Sequence, residues 1–250
     1  MTFLINFVAM RVAGKIAEKI AEIPYGTTFT YGELPIASDE YSAAAKALER
    51  LVKKEVIRRA STGVFYKPRK STFGPLRPRE EELLRPYLFE RGKRIAYITG
   101  LALYNRLGLT TQVPKDIRVA SRDKRIVAKV GNIRIKPIKS YEDVTDDNYY
   151  LLELLDVLKD FKNISDMGKK EGVKFMLKKF ERLPEKERDK LVAIALKYPP
   201  RVRAFVGSLL NELNPAKPVK ALKDSLNPLS IFDFGIGKDL LRFVDFWNIR

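Results

Sequence analysis

Residues 41–54 read YSAAAKALERLVKK, and this stretch decides the fold of the first part of the chain. Wound as a helix at about 100° per residue, it separates into two sides. The side expected to pack in a core carries Tyr41, Ala44, Ala45, Leu48, Leu51 and Val52. The other side carries Ser42, Lys46, Arg50 and Lys53, flanked by the small Ala43 and Ala47. Such a face suits a helix that enters the major groove of DNA, although a solvated surface helix shows the same stripe.

The residues before this helix indicate a helix-turn-helix. Apolar residues recur at helical spacing through 14–23, and Pro24 ends that first helix. A short β-prone run over 27–30 and a helical turn then lead to the quoted stretch. Asp39 or Ser42 is expected to cap the second long helix, because both side chains accept hydrogen bonds from free amides.

The residues after the helix predict a basic hairpin. Two β-rich runs, 56–61 and 64–67, are joined at Thr62-Gly63. Helix, strand, helix, basic helix and hairpin is the order of a winged helix-turn-helix, whose wing lies along phosphates or a minor groove. The residues expected to contact DNA are Ser42, Ala43, Lys46, Arg50, Lys53, Arg58, Arg59, Thr62, Lys67 and Arg69.

The positive charge is concentrated in the first 140 residues. The chain of 250 residues carries 48 Lys and Arg against 31 Asp and Glu, for a net charge of +17. Residues 1–72 hold twelve basic and seven acidic side chains, and residues 73–140 hold sixteen and six. Residues 141–213 are balanced, with fourteen of each sign. A polyanionic partner is therefore expected to meet the first 140 residues.

The sequence contains neither cysteine nor histidine. This excludes disulfides, cysteine or histidine metal sites, and catalytic sites that depend on a histidine base. The first ten residues, MTFLINFVAM, are expected to begin the first helix or to form an arm on the second domain, with a signal peptide as the alternative. No run approaches the roughly 18 apolar residues of a membrane span, so we expect a cytoplasmic protein without a membrane partner.

The pattern predicts an α+β protein of two domains. A winged helix-turn-helix is expected over 1–72 and a mixed small-sheet and helical domain over 73–250. The proline-rich run 68–78 is expected to be the linker between them. A charged helix is expected to start at Arg79, and Thr99 to cap a helix over 100–107.

The second domain is expected to consist of a sheet part, a helical part and an aromatic tail, in that order. Its sheet part, up to about residue 140, ends in two alternating runs joined at Gly131-Asn132. Amphipathic helices are expected over 141–213, and an aromatic tail over 214–250. That tail is predicted to end in a short helix that docks on its own domain, with partner binding as the alternative. The predicted docking face carries Leu240, Phe243, Val244 and Trp247.

Basic residues also line the outward positions of the predicted sheet. They either form a second phosphate-contacting surface or are ordinary solvated strand faces. These residues are Arg118, Lys124, Arg125, Lys129, Arg134 and Lys136.

Four acidic residues, Glu142, Asp143, Asp146 and Asp147, are the candidates for carboxylate or metal chemistry. Their spacing matches no metal-site template, and acidic residues before a helix also suit its positive N-terminal end. No glycine-rich phosphate-binding loop occurs. We therefore expect no metal, no cofactor and no enzymatic activity. A metal-dependent enzyme acting on nucleic acid through these carboxylates is one alternative, and a protein-interaction module is another.

Three segments carry a resemblance to a known family. They read GTTFTYGEL and KALERLVKKEVIRRASTGVFYKP at 26–68, FGPLRPREEELL at 73–84, and YITGLALYNRLGLTTQVP at 97–114. In these residues the chain resembles the AbiEi-like antitoxins of type IV toxin-antitoxin systems. The resemblance implies an N-terminal winged helix that binds the double-stranded DNA of its own promoter and represses it. It also implies a C-terminal domain that counteracts a nucleotidyltransferase-like toxin without a stable complex.

Overall fold

The chain has an α+β fold, which a computed structural model describes over residues 2–215 and 219–250, with side chains from Met10 onward. The chain divides into two units. The first unit comprises residues up to Arg94 together with Val127–Ile135, and the second comprises Ile95–Ile126 and Lys136–Arg250.

The first unit begins as the predicted winged helix-turn-helix. Helix α1 spans Thr2–Glu22 and helix α2 spans Tyr41–Lys53. The strands β1 (Thr28–Thr30), β2 (Arg58–Ser61) and β3 (Val64–Tyr66) form an antiparallel sheet in the order β1-β3-β2. Two single turns of 3₁₀ helix connect β1 to α2. The core is formed by apolar residues at helical spacing on α1 and α2 against the sheet, and includes Val12, Ile16, Ile20, Phe29, Ala44, Leu48 and Phe65.

The N-terminal end of α2 is capped differently from the prediction. Glu40, rather than Asp39 or Ser42, is the N-cap residue, and Ser42 lies inside the helix. The Glu40 carboxylate accepts a hydrogen bond from the Ala37 amide at 3.1 Å and faces Arg11 at 3.5 Å. The amide hydrogen bond lowers the pKa of Glu40, with the charges of Lys15 and Arg11 acting in the same direction. The buried carboxylate therefore links α1 to the start of α2.

The run 68–78 is a hairpin and not a linker. It forms β4 (Arg69–Ser71) and β5 (Gly74–Leu76), after which come α3 (Glu80–Leu88), β6 (Phe89–Glu90) and β7 (Lys93–Arg94). Helix α3 is fixed to the winged-helix sheet, because the Thr28 amide donates to the Glu82 carboxylate at 2.8 Å. The unit boundary consequently lies after Arg94 and not after residue 72.

The predicted hairpin at Gly131-Asn132 is present. Strand β10 (Ala128–Val130) pairs antiparallel with the first part of β11 (Ile133–Lys139), and both belong to the first unit as far as Ile135. Strand β11 continues into the second unit, where the strand order is β11-β9-β8. Here β8 is Tyr97–Thr99 and β9 is Asp116–Ser121.

The second unit is mainly helical after its sheet. Its helices are α4 (Leu101–Arg106), α5 (Tyr149–Asp160), α6 (Lys169–Glu181), α7 (Glu185–Ala195), α8 (Pro200–Leu213) and α9 (Lys220–Asp224). Residues 151–158 of α5 are all buried, so α5 is the central helix of this unit. Gly100, and not Thr99, caps α4, and the Gly100 φ of +69° is a conformation that side chains disfavour.

The aromatic tail docks on the second unit, but its last residues form turns instead of the predicted helix. Trp247 is fully buried, and its indole nitrogen donates to Asn211 at 2.9 Å. The Trp247 ring lies so close to Gly207 that a Cβ at residue 207 would collide with it.

Residues 216–218 of the expected spacer lie outside the described residues. Within the described chain, no helix combines the length and hydropathy required to cross a bilayer.

Candidate nucleic-acid interface

The outer face of α2 carries most of the residues predicted to contact DNA. Ser42, Lys46, Arg50 and Lys53 are exposed, while Ala44 and Leu48 are fully buried. Two small residues differ from the prediction, because Ala47 is in the core, 5% exposed, and Ala43 is half-buried against it. Ala45 is exposed instead. The small side chain exposed on α2 is therefore Ala45.

The basic residues of this face differ in whether they form ion pairs. Lys53 pairs with Glu49, one turn earlier, at 3.2 Å. Among the side chains that the structure describes, in residues 10–215 and 219–250, Lys46 and Arg50 form no ion pair or hydrogen bond. Exposed cations that form no ion pair remain available to a phosphate. Glu49 is a negative charge on the same face and opposes that attraction.

The wing is a short hairpin with one exposed cation on its outer strand. Gly63 has a φ of +74° in the two-residue turn, and Thr62 beside it is exposed. Arg59 is exposed, and its guanidinium lies 5.4 Å from the centre of the Phe65 ring. Arg58 is half-exposed and pairs with Glu55 at 3.3 Å. Arg59 and Thr62 are consequently the wing residues best placed for a phosphate.

Lys67 lies at the opposite end of the sheet from the wing turn. Strand β3 pairs Val64 with Thr30 at the turn end and Tyr66 with Thr28 at the other. The Lys67 ammonium donates to the Ala21 carbonyl at 2.9 Å, at the C-terminal end of α1. A cation is favourable there because it satisfies free carbonyls at the negative end of the helix dipole.

Arg69 lies at that same end of the sheet, since its Nε donates to the carbonyl of Tyr25 at 3.2 Å. Lys67 and Arg69 are thus placed away from the wing turn, contrary to their predicted role as wing contacts. The sequence signal for phosphate binding, basic residues after a β-rich run, does not distinguish them from Arg59.

The four acidic residues form a loop that starts α5. The Asn148 side-chain oxygen accepts from the Thr145 amide at 2.9 Å, and its amide group donates to the Asp143 carbonyl at 2.7 Å. Glu142 is paired with Lys197, and this hydrogen bond lowers the pKa of Glu142. In the part of the chain that the structure describes, no group of three or more Asp or Glu is arranged to hold a metal ion.

The six basic residues of the predicted second surface divide between the two units. Lys129 and Arg134 lie on the β10–β11 hairpin of the first unit, and the other four lie in the second. Lys136 pairs with Asp116 at 2.6 Å. The alkyl chain of Arg118 lies against Gly100, beside a cavity of about 680 Å³. The predicted second surface therefore draws its residues from both units.

A feature that the sequence reading missed is the β4–β5 hairpin. It carries Lys70 and Arg77, both exposed, and Phe73 at its turn. The sequence signal for this hairpin is Gly74, a glycine at the turn between the two short strand segments. The prolines of the same segment instead favoured a linker.

Comparison with known proteins gives a family without an assigned activity. A family model described as "Family of unknown function (DUF6088)" matches residues 15–148. The match covers more than half of the chain and includes α2, the wing, the β4–β5 hairpin and β8 to β11. No curated protein matches the chain.

Proposed function

The chain belongs to DUF6088, a family of unknown function, and we propose that its first unit binds DNA sequence-specifically and represses transcription from the chain's own promoter. The observation that carries this proposal is the outer face of α2. Lys46 and Arg50 stand one helical turn apart on it, exposed, in the recognition position of a winged helix-turn-helix.

The geometry of this face suits a major groove. Residues four apart on a helix are about 6 Å apart, so Lys46 and Arg50 would reach neighbouring positions along the groove. Ser42 and the small Ala45 allow the N-terminal half of α2 to approach base edges. Arg59 and Thr62 on the wing would hold phosphates and fix the register of the helix.

The charge of the first unit supports the same partner. Residues 1–94 and 127–135 hold twenty basic and eleven acidic side chains. A net positive domain attracts a polyanion over roughly a Debye length, about 8–10 Å at physiological salt. Such a regulator would act in the cytoplasm, where the promoter is.

For the second unit we propose the antitoxin role that the resemblance to AbiEi-like antitoxins implies. This unit would counteract a nucleotidyltransferase-like toxin without forming a stable complex. Support comes from the motif at 97–114, the part of the resemblance that lies in this unit. Coexpression with a neighbouring nucleotidyltransferase-like gene tests this proposal, and unchanged toxicity would exclude it.

The DNA-binding proposal is tested by a salt-titrated gel shift of the full chain on its own upstream DNA and on scrambled DNA. We expect tighter binding to the upstream DNA. With about four to six phosphates contacted, the slope of log affinity against log salt should be near −4 to −5. Equal affinity for both DNAs, or a flat salt dependence, would refute sequence-specific repression.

Variants locate the binding to α2. Arg50→Ala should reduce the preference for upstream over scrambled DNA, because a base contact specifies while a phosphate contact does not. Lys174→Ala is the matched control, since Lys174 is exposed on α6 in the second unit. Loss of binding to the same degree in both variants would point to general charge.

The two alternatives predict different behaviour. The metal-dependent enzyme requires converging carboxylates, and the described residues offer no such group. Turnover of nucleic acid with Mg²⁺ or Mn²⁺, lost in Asp143→Asn, would nevertheless establish it. A protein-interaction module would retain a partner after nuclease treatment and show no salt-dependent gel shift.

A further inference from the structure

Phe73 is the most exposed large apolar side chain of the described chain, at 99% exposure. It lies in the turn of the β4–β5 hairpin, between Ser71 and Gly74. The next most exposed apolar residues, Leu229 and Val113, are smaller and lie in the second unit. A fully exposed aromatic ring is unfavourable in water, so a partner that covers it would gain binding free energy.

Hydrogen bonds of the Ser71 hydroxyl order the turn that carries the Phe73 ring. The Ser71 hydroxyl donates to the Gly74 carbonyl at 2.7 Å and accepts from the Phe73 amide at 3.2 Å. Gly74 has a φ of +105°, which residues with a side chain rarely adopt. The ring is therefore displayed on an ordered turn rather than on a loose connection.

The surroundings of Phe73 are cationic. Residues 69–79 contain Arg69, Lys70, Arg77 and Arg79 and no acidic residue. The Arg77 guanidinium lies against Gly131, at the turn of the β10–β11 hairpin that carries Lys129. Leu76, at 50% exposure, is the other exposed large apolar residue of the hairpin. The hairpin thus offers a small apolar area among basic residues, whereas a protein-binding surface buries a larger contiguous apolar patch with few charges at its centre.

We propose that the β4–β5 hairpin is a second nucleic-acid contact, in which Phe73 stacks on a base or wedges between two base pairs while Lys70 and Arg77 hold the flanking phosphates. Aromatic rings stack on any base, and apolar wedges part base steps in bent DNA. This inference rests on the proposed DNA binding of the first unit but uses none of the residues of α2 or the wing. The hairpin should therefore add affinity without adding sequence preference.

The first test is the affinity of Phe73→Ala in the full chain. Because the ring makes no packing contact that its removal would break, the variant should fold as the parent does. We expect affinity for upstream and scrambled DNA to fall together by about tenfold, with an unchanged salt slope, since stacking carries no charge. Val113→Ala, which removes an 82% exposed side chain from the second unit, is the control and should bind as the parent does. Parental affinity in Phe73→Ala would overturn the proposal.

The second test places a reporter in the turn. The chain's one tryptophan, Trp247, is fully buried, so Phe73→Trp adds the one exposed indole. Stacking on bases should quench the new emission when DNA is added. A blue shift that grows with protein concentration, without quenching by DNA, would instead identify a protein contact and overturn the proposal.

The two proposals fail separately in this design. If the parent shows no preference for upstream DNA but single-stranded DNA quenches the residue 73 indole, the repressor proposal fails and the hairpin proposal stands. If upstream DNA is bound specifically and neither Phe73 variant responds, the hairpin proposal fails alone. Absence of binding to duplex and single-stranded DNA at low salt would refute both.

Discussion

The hydroxyl of Thr99 donates a hydrogen bond to Oδ2 of Asp156 at 2.5 Å, across a separation of 57 residues. The same carboxylate accepts from the Tyr97 hydroxyl at 2.9 Å and from the Lys159 ammonium at 2.7 Å. Asp156 is only 1% exposed, so these donors replace the water that its charge has lost. The end of strand β8 is thereby fixed to the central helix α5.

Asp156→Ala should strongly destabilise the second unit. The substitution leaves the Lys159 charge and the hydroxyls of Tyr97, Thr99 and Tyr198 without their acceptor. Breaking a buried pair in this way costs about 3–5 kcal/mol. Trp247 reports on this unit, so urea unfolding followed by its fluorescence measures the change. Asp143→Ala, in the exposed loop before α5, should change the free energy of unfolding by less than about 0.5 kcal/mol. Equal effects of the two substitutions would contradict this account.

The buried tyrosines around Asp156 predict alkaline instability. Burial raises the pKa of Tyr97 and Tyr198, and the Asp156 charge raises both further. In the unfolded chain these phenols ionise at their ordinary pKa of about 10, so the folded state holds more protons above that pH. Stability of the second unit is therefore complete below about pH 10 and falls as pH rises further.

Urea unfolding followed by Trp247 at pH 8 and pH 11 measures this loss. Tyr198→Phe removes one of the groups that must ionise. The variant should lose less stability than the parent between the two pH values, even if it is less stable at pH 8. The same pH dependence in parent and variant would assign the effect to other groups.

The regular elements follow closely from the sequence. Helical periodicity predicts a helix over 149–161, and α5 is found at Tyr149–Asp160. Periodicity works here because the apolar face of a helix is a local property. The hairpin at 69–76 is different, because its identity depends on a turn at Gly74 and on α3 being fixed to Thr28, 54 residues from Glu82. From the sequence, Thr99 is expected to be the N-cap residue of α4. In the structure its hydroxyl instead donates to Asp156, 57 residues away.

The residues of the candidate nucleic-acid interface also divide into those whose placement follows from local sequence and those whose placement depends on distant contacts. Lys46 and Arg50 are predictable because exposure on α2 follows from the positions of Ala44 and Leu48. Lys67 is not predictable, because its acceptor at Ala21 lies 46 residues away. The exposure of Phe73 is not predictable for a further reason. Residue type alone does not distinguish an exposed phenylalanine from one in the core.

Lys67→Met should destabilise the first unit and leave the proposed DNA binding unchanged. The substitution keeps the apolar stem and removes the ammonium from the carbonyls of Ile20 and Ala21. Charged hydrogen bonds at a helix end contribute about 1–2 kcal/mol. Amide hydrogen exchange in α1 and β3 should accelerate, while the salt slope of DNA binding stays at the parental value. A slope reduced by about 1 would restore Lys67 as a phosphate contact.

Glu49→Gln should tighten DNA binding if α2 enters a groove. Glu49 is exposed beside Lys46 and Arg50 and pairs with Lys53 at 3.2 Å. Removing the carboxylate abolishes its repulsion of phosphate and leaves Lys53 available as a further phosphate contact. The salt slope should become steeper by about 1, with several-fold higher affinity at low salt. An exposed pair of this kind contributes only about 0.3–0.5 kcal/mol to stability, so the fold should be retained.

The control for Glu49→Gln is Glu18→Gln, which removes the same charge from an exposed position on α1. Both variants raise the net charge by one, so a long-range effect would strengthen binding equally in the two. A contact effect requires the carboxylate to lie within about a Debye length of the phosphates, near 10 Å at 0.1 M salt. The gain should therefore be confined to Glu49→Gln, and it should persist at salt concentrations that abolish any gain in Glu18→Gln. Equal gains would place the phosphate backbone away from α2 and refute its role as the recognition helix.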